Sequence, residues 1–137
     1  MELSQDVISN HIKQWINAWN SKDIDTILSL YCDNIEFSSP KIKKLLSDYK
    51  TNTINNKNDL KIYFSIGLKK FPNLKFEPVD FVTKGNIIIL EYIAYPNESI
   101  KWKVLEKFEL VKNGKVMKSF VYYGIEEENA NKKNMSY

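Results

Sequence analysis

The sequence contains no arginine; all 20 of its basic residues are lysine. Arginine supplies the planar fork that grips phosphates and base edges, so nucleic-acid binding is disfavoured. A net charge of +3 is likewise too small to call for a polyanionic partner. A gene biased toward lysine, asparagine and isoleucine accounts for the same gap, and both explanations stay open. A single cysteine, Cys32, excludes an internal disulfide, and a buried, inert thiol is its default reading. One histidine and one cysteine form no ligand cluster, so no metal and no other cofactor is expected. No apolar run approaches the ~20 residues of a membrane span. The longest, "NIIIL" at Asn86 to Leu90, has strand length. The opening "MELSQDVISN" has no basic segment followed by an apolar one, so no secretory signal is read there. A cytoplasmic protein with no membrane partner is the expectation.

What is present is an ordinary globular composition. With 137 residues, 43% hydrophobic and 27% charged, the chain has the size and core of one domain. That domain is expected over residues 1–126, with 127–137 a flexible tail. Val7, Ile8, Ile12, Trp15, Ile16 and Trp19 recur at helical spacing and predict a helix from about Leu3 to Asn20. Ser21 or Asp23 caps a second helix with the stripe Ile24, Ile27, Leu28 and Tyr31. "NIEFS" reads as a short strand. Pro40 opens a third helix with Ile42, Leu45, Leu46 and Tyr49 inward, beside a polar loop "TNTINNKN". Asn58 or Asp59 caps a fourth helix, stopped by Pro72, that turns Leu60, Tyr63, Phe64, Leu68 and Phe71 inward.

The period then changes from 3.6 to 2. Four strands are expected: Leu74 to Thr83, Ile87 to Tyr95, Ile100 to Val111, and Lys115 to about Glu126, the last pair joined by a two-residue Asn113-Gly114 turn. Helices first and strands after give an α+β chain with the helices on one face of an antiparallel sheet. Strand phase places Trp102, Val104, Glu106, Phe108 and Leu110 on the inner face, with Leu90, Tyr92 and Ala94 beside them. Met117, Ser119, Val121 and Tyr123 point inward on the last strand, leaving Phe120 and Tyr122 outside.

The segments "AWNSKDIDTILSLYCDNIEFSSP", "NDLKIYFSIGLKKFPNLKFEPVDFV" and "KFELVKNGKVMKSFVYYG", spanning Ala18 to Gly124, resemble a SnoaL-like member of the nuclear-transport-factor-2-like superfamily. Ketosteroid isomerase, scytalone dehydratase and polyketide cyclases are relatives in that group. The resemblance implies a curved antiparallel sheet wrapped around N-terminal helices, a cone-shaped barrel with an internal apolar pocket, and in many members a homodimer formed through the outer face of the sheet. Ketosteroid isomerase works with an aspartate base, a tyrosine and a protonated aspartate. In this chain the base position falls on Ser39, the tyrosine position on Trp15, and the oxyanion aspartate position near Glu106. A serine without an adjacent base cannot abstract a carbon-bound proton at neutral pH, so that mechanism is disfavoured. His11, the dehydratase-type candidate, shares a helix face with Trp15 but lies near the helix start and reads as partly exposed.

The expected function is therefore binding of a small apolar or aromatic molecule. The alternative is an isomerase, cyclase or dehydratase that acts through Glu106 with Tyr123 or Ser39. Beyond that pair of candidate catalytic groups, Glu106 and Tyr123, the residues expected around the ligand are Trp15, Trp19, Phe37, Ser39 and Phe64. Tyr92, Trp102, Phe108 and Ser119 complete the set. Each aromatic has an alternative role as plain core, and tryptophan more often fills it.

Overall fold

The computed structural model describes residues 3–129. Ser4 accepts a hydrogen bond from Val7 N–H at 3.2 Å and caps helix α1 (Gln5–Ser21). Lys22 ends it in the left-handed conformation, φ 60°. The buried stripe runs Ile8, His11, Trp15, Ile16, Ala18, Trp19. His11 thus belongs to the core at 4% exposure, which corrects its expected half-exposed position. Its place three residues after Ile8 and four before Trp15 puts it on the same face as both. Asp23 caps the short helix α2 (Ile24–Leu28). Tyr31 then starts strand β1 (Tyr31–Ser38) rather than finishing a helical stripe.

The sequence after Pro40 forms only one turn, α3 (Ile42–Leu45), not the longer amphipathic helix that its apolar spacing suggests. Leu46 adopts an extended conformation, and Tyr49 instead donates its hydroxyl to Asp59. The expected polar loop contains strand β2 (Thr53–Ile54), whose Ile54 is fully buried. Asn56, two residues before the first expected cap, accepts from Asp59 N–H at 2.8 Å and starts α4 (Lys57–Lys70). Four long strands follow: β3 (Lys75–Lys84), β4 (Ile87–Tyr95), β5 (Ile100–Leu110) and β6 (Val116–Glu128). β6 carries on to Glu128, opposite Ile100, so residues 127 and 128 of the expected tail lie in the sheet. Residues 130–137 of that tail fall outside the described ones.

One curved, open sheet of six strands carries the order β2-β1-β6-β5-β4-β3. The long strands pair antiparallel as expected, while β1 joins β6 in parallel, which a wholly antiparallel sheet had not allowed for. A parallel neighbour needs a long crossover, and the chain from α3 through β5 forms it. The β5–β6 hairpin turns through Val111 to Gly114, closed by Gly114 N–H to Val111 C=O at 2.9 Å, with Gly114 at φ 88°. This is one residue longer than the expected two-residue loop, the glycine occupying the position that needs positive φ. A register shift follows between Glu109 and Leu110. It turns Val116 fully inward and leaves the expected inward residue, Met117, half-buried. Cys32 is likewise half-buried. Among the described residues no helix is long and apolar enough to cross a membrane.

Asn20 ties the end of α1 to an edge strand. Its side chain donates to Phe76 C=O at 3.0 Å and accepts from Phe76 N–H at 2.7 Å. One amide thereby satisfies both polar groups of a backbone unit that has β4 on only one side. Asn20→Ala is expected to lower unfolding stability by about 2 kcal/mol, the cost of stranding a part-buried donor and acceptor. Urea denaturation should show a lower midpoint at unchanged slope, and an unchanged midpoint would mean that water replaces the amide.

Candidate functional site

Trp15 stands at the centre of the cone. Its ring stacks on Phe76 (5.3 Å between centroids, 20°) and meets Tyr92 and Phe108 edge-on, both at 5.2 Å. Its Nε1–H donates to the Tyr31 hydroxyl at 2.9 Å, so this indole is held by polar as well as apolar contacts. Trp19, one turn on, packs edge-on against Phe64 at 4.7 Å. Its Nε1–H is buried without a hydrogen-bond partner among the described residues.

Beside these rings a cavity of ≈ 90 Å³ remains open. Trp15, Trp19, Phe64, Tyr92, Trp102, Glu106 and Tyr123, all expected around a ligand, line it. Phe37, Ser39, Phe108 and Ser119 do not line it and lie behind the wall. Phe108 packs on His11 and Trp15, and Phe37 on Tyr63 and Phe64. Ser39 is buried and accepts from the Tyr63 hydroxyl at 3.2 Å. The cavity also draws on residues that the sequence reading did not nominate. Lys41 and Leu45 come from the turn after Pro40, Tyr63, Gly67 and Phe71 from or beside α4, and Phe76 from β3. Tyr63 and Phe71 carried a signal in the inward stripe of α4. Lys41 carried none, because a lysine in a lysine-rich surface turn looks solvated.

Glu106 is the polar centre. It is 2% exposed, opposite Leu90 on β4 and Val121 on β6. Tyr92 donates to Oε1 at 2.8 Å and Ser119 to Oε2 at 2.7 Å. Burial raises the carboxyl from its ordinary 4.5 to about 7, against the pull of those two hydroxyls. Burial raises the phenols of Tyr31, Tyr63, Tyr92 and Tyr123, and the field of the nearby carboxylate raises each of them further. Tyr63 reaches about 12. All four stay protonated at neutral pH; Tyr92 donates to Glu106 and Tyr63 to Ser39, while Tyr31 accepts from Trp15. His11 is pushed down to about 4 by burial and does not line the cavity. Its Nε2 has no hydrogen-bond partner. Among the described residues no three metal-ligating side chains come together.

The sequence pattern of the SnoaL-like domain matches residues 12–118. The chain belongs to the SnoaL-like family. Among solved structures, a SnoaL-like protein of unknown function from Burkholderia thailandensis E264 superposes with a TM-score of 0.81 and 26% identity, covering 91% of this chain and 100% of that one. The epoxide hydrolase/cyclase-like enzyme SalBIII of salinomycin pyran-ring formation gives a TM-score of 0.71 at 16% identity, covering 91% of this chain and 95% of its own. TerC, co-crystallised with polyporic acid, also gives 0.71, at 13% identity over 86% of this chain and 92% of its own. No curated protein matches significantly. At these identities SalBIII and TerC show a shared fold.

This SnoaL-like domain carries two buried titrating groups with opposite effects on stability. Glu106 has a folded pKa above its unfolded value, so its contribution is fully present below 4.5 and is lost as pH rises through about 7. His11 has a folded pKa below its unfolded 6.5, so its contribution is present above 6.5 and is lost as pH falls through about 4. Each amounts to about 3 kcal/mol at most, and between 4.5 and 6.5 the two slopes oppose each other. Relative to the wild type, Glu106→Gln should gain stability as pH rises from about 4.5 to about 7. Urea denaturation across that range tests this; curves that run parallel would place the carboxyl in solvent.

Proposed function

We propose that this SnoaL-like domain binds a small apolar or aromatic molecule in the cavity, with Glu106 as the group that meets a ligand oxygen. One observation carries the reading: a fully buried carboxyl faces a cavity whose wall is mostly apolar. Below about pH 7 the carboxyl is largely neutral and donates a hydrogen bond to a carbonyl or hydroxyl. Gly67 supports it. This glycine stands on the cavity wall inside α4, where a Cβ would meet nothing within 4 Å. A helix interior is about 1 kcal/mol less stable with glycine than with alanine, and packing alone gives no reason for the smaller residue. At ≈ 90 Å³ the enclosed space is below the roughly 300–1,000 Å³ of drug-sized sites. The ligand is therefore small, or it enters by moving the Lys41 turn.

Protein purified from its own host should retain a small molecule in native mass spectrometry, and Gly67→Leu, which fills the space, should lose it. A bare mass in the wild type, together with indole N–H signals unmoved by added phenylacetamide, would overturn the reading.

A second reading is proton-transfer catalysis of the isomerase, cyclase or dehydratase kind. It is favoured by the same carboxyl, for which about 7 populates acid and base forms alike at neutral pH. Tyr123 shares the cavity wall with it, while Ser39 is engaged by Tyr63. Here Glu106→Gln would abolish turnover and keep the retained ligand.

We also propose a homodimer through the outer sheet face. Phe120 and Tyr122 stack there at 4.7 Å while 45% and 51% exposed, and Leu105 lies opposite Tyr122. Replacing both aromatics by lysine should halve the mass measured by light scattering. A wild type already monomeric, or a double variant of unchanged mass, would remove this face from consideration.

A further inference from the structure

Lys41 lines the cavity and makes no ion pair among the described residues. Lys41 Nζ lies 3.2 Å from the centroid of the Trp102 ring and 4.3 Å from that of Tyr123. The two rings stand at 88° to one another, so they form a corner with the ammonium inside it. The corner is braced: Trp102 Nε1–H donates to Glu126 Oε1 at 2.5 Å, and Phe71 packs edge-on against the indole at 5.5 Å. Lys41 N–H is held in turn by Ser39 Oγ at 3.3 Å. Ring faces attract a cation, but only partly replace the water it has lost.

Burial and the neighbouring cations Lys44 and Lys70 together hold the Lys41 pKa down to about 8, while Glu126 pulls the other way. Glu126 already accepts the indole N–H. Lys44 and Lys70 thus stand near the half-buried Lys41 ammonium, and Ala94, Val104, Val121 and Glu106 line the same cavity.

Taking the cavity as the ligand site, as proposed above, we infer that the Lys41 ammonium recognises an anionic group at the outer end of the ligand and makes the site selective for small aromatic or lipophilic monoacids. The acid places its apolar body against the valines and alanine and its carboxylate beside the ammonium. There it gives Lys41 the counter-ion it lacks. A charge-assisted hydrogen bond in a part-dry setting is about twice as strong as a neutral one. A cationic ligand could use the same aromatic corner only by expelling Lys41 and lying beside Lys44 and Lys70, which the shared sign of charge opposes. In a chain without arginine, a lysine has to read the anion, and it does so as a point charge rather than as a planar fork.

The test uses three probes of one shape: phenylacetate, the neutral phenylacetamide, and 2-phenylethylamine. Each is titrated at pH 6 into the wild type, Lys41→Met and Lys41→Gln while the indole N–H signals are followed by NMR. Met keeps the unbranched stem and Gln keeps a polar end, so one of the two variants preserves the packing. Phenylacetate should bind the wild type about tenfold more tightly than phenylacetamide. That advantage should vanish in both variants, with phenylacetamide affinity unchanged. Equal binding of acid and amide by the wild type would overturn the inference and leave the cavity reading standing. So would an acid advantage that survives the loss of Lys41, or an amine that binds most tightly. If no probe shifts any signal, both the inference and the reading on which it rests fail.

Discussion

The indole of Trp15 reaches the sheet at four places at once. It stacks on Phe76 of β3, meets Tyr92 of β4 and Phe108 of β5 edge-on, and donates its N–H to Tyr31 of β1. A flat sheet could not bring those four residues around one ring. The curvature of the cone and the depth at which α1 sits are therefore a single geometric problem, and Trp15 satisfies both sides of it. Its hydrogen bond adds to the burial of the ring, because a buried N–H left unpaired carries the cost of its lost hydration. Asn20, at the far end of the same helix, fixes β3, one of the two edge strands of the open sheet.

With the ring in place, little of the cone remains for anything else. The ≈ 90 Å³ left over is bounded by aromatic and aliphatic side chains, with Glu106 and Lys41 as its charged members. Glu106 is tolerated there because Tyr92 and Ser119 supply two hydrogen bonds. It is poised rather than fully ionised because no cation compensates its burial. The phenols nearby respond to the same field by holding their protons. A cluster of neutral phenols around a half-ionised acid thus follows from burying one charge among tyrosines.

Family membership and the Glu106 environment answer different questions. The SnoaL-like pattern over 12–118 explains why this order of helices and strands curls into a cone. It does not choose a reaction, since this fold holds binding proteins and enzymes on the same frame and function resides in the side chains lining the space. Here those side chains lack the carboxylate that would stand where Ser39 does. Ser39 is withdrawn from the cavity wall and engaged by Tyr63.

The sequence by itself determined the two long helices and most of the strand phases, the start of β6 at Val116 and Met117 excepted. Alternation from Trp102 to Leu110 put Glu106 and Phe108 inside, because two-residue periodicity needs only local backbone geometry. The inward face of α4 was legible from its helical period, and the family from its segments, while β4, apolar on both faces, carried a weaker signal. Three features were decided only in the folded molecule. The turn after Pro40 became one helical turn because Tyr49 is drawn off to Asp59, a partner ten residues away whose position no local pattern encodes. Ile54 entered the core because β2 pairs with Phe37 and Ser38 of β1. Lys41 came to lie on Trp102 and Tyr123, from opposite ends of β5 and β6, only once the cone had closed. In each case the deciding contact joins residues far apart along the chain, where periodicity carries no information.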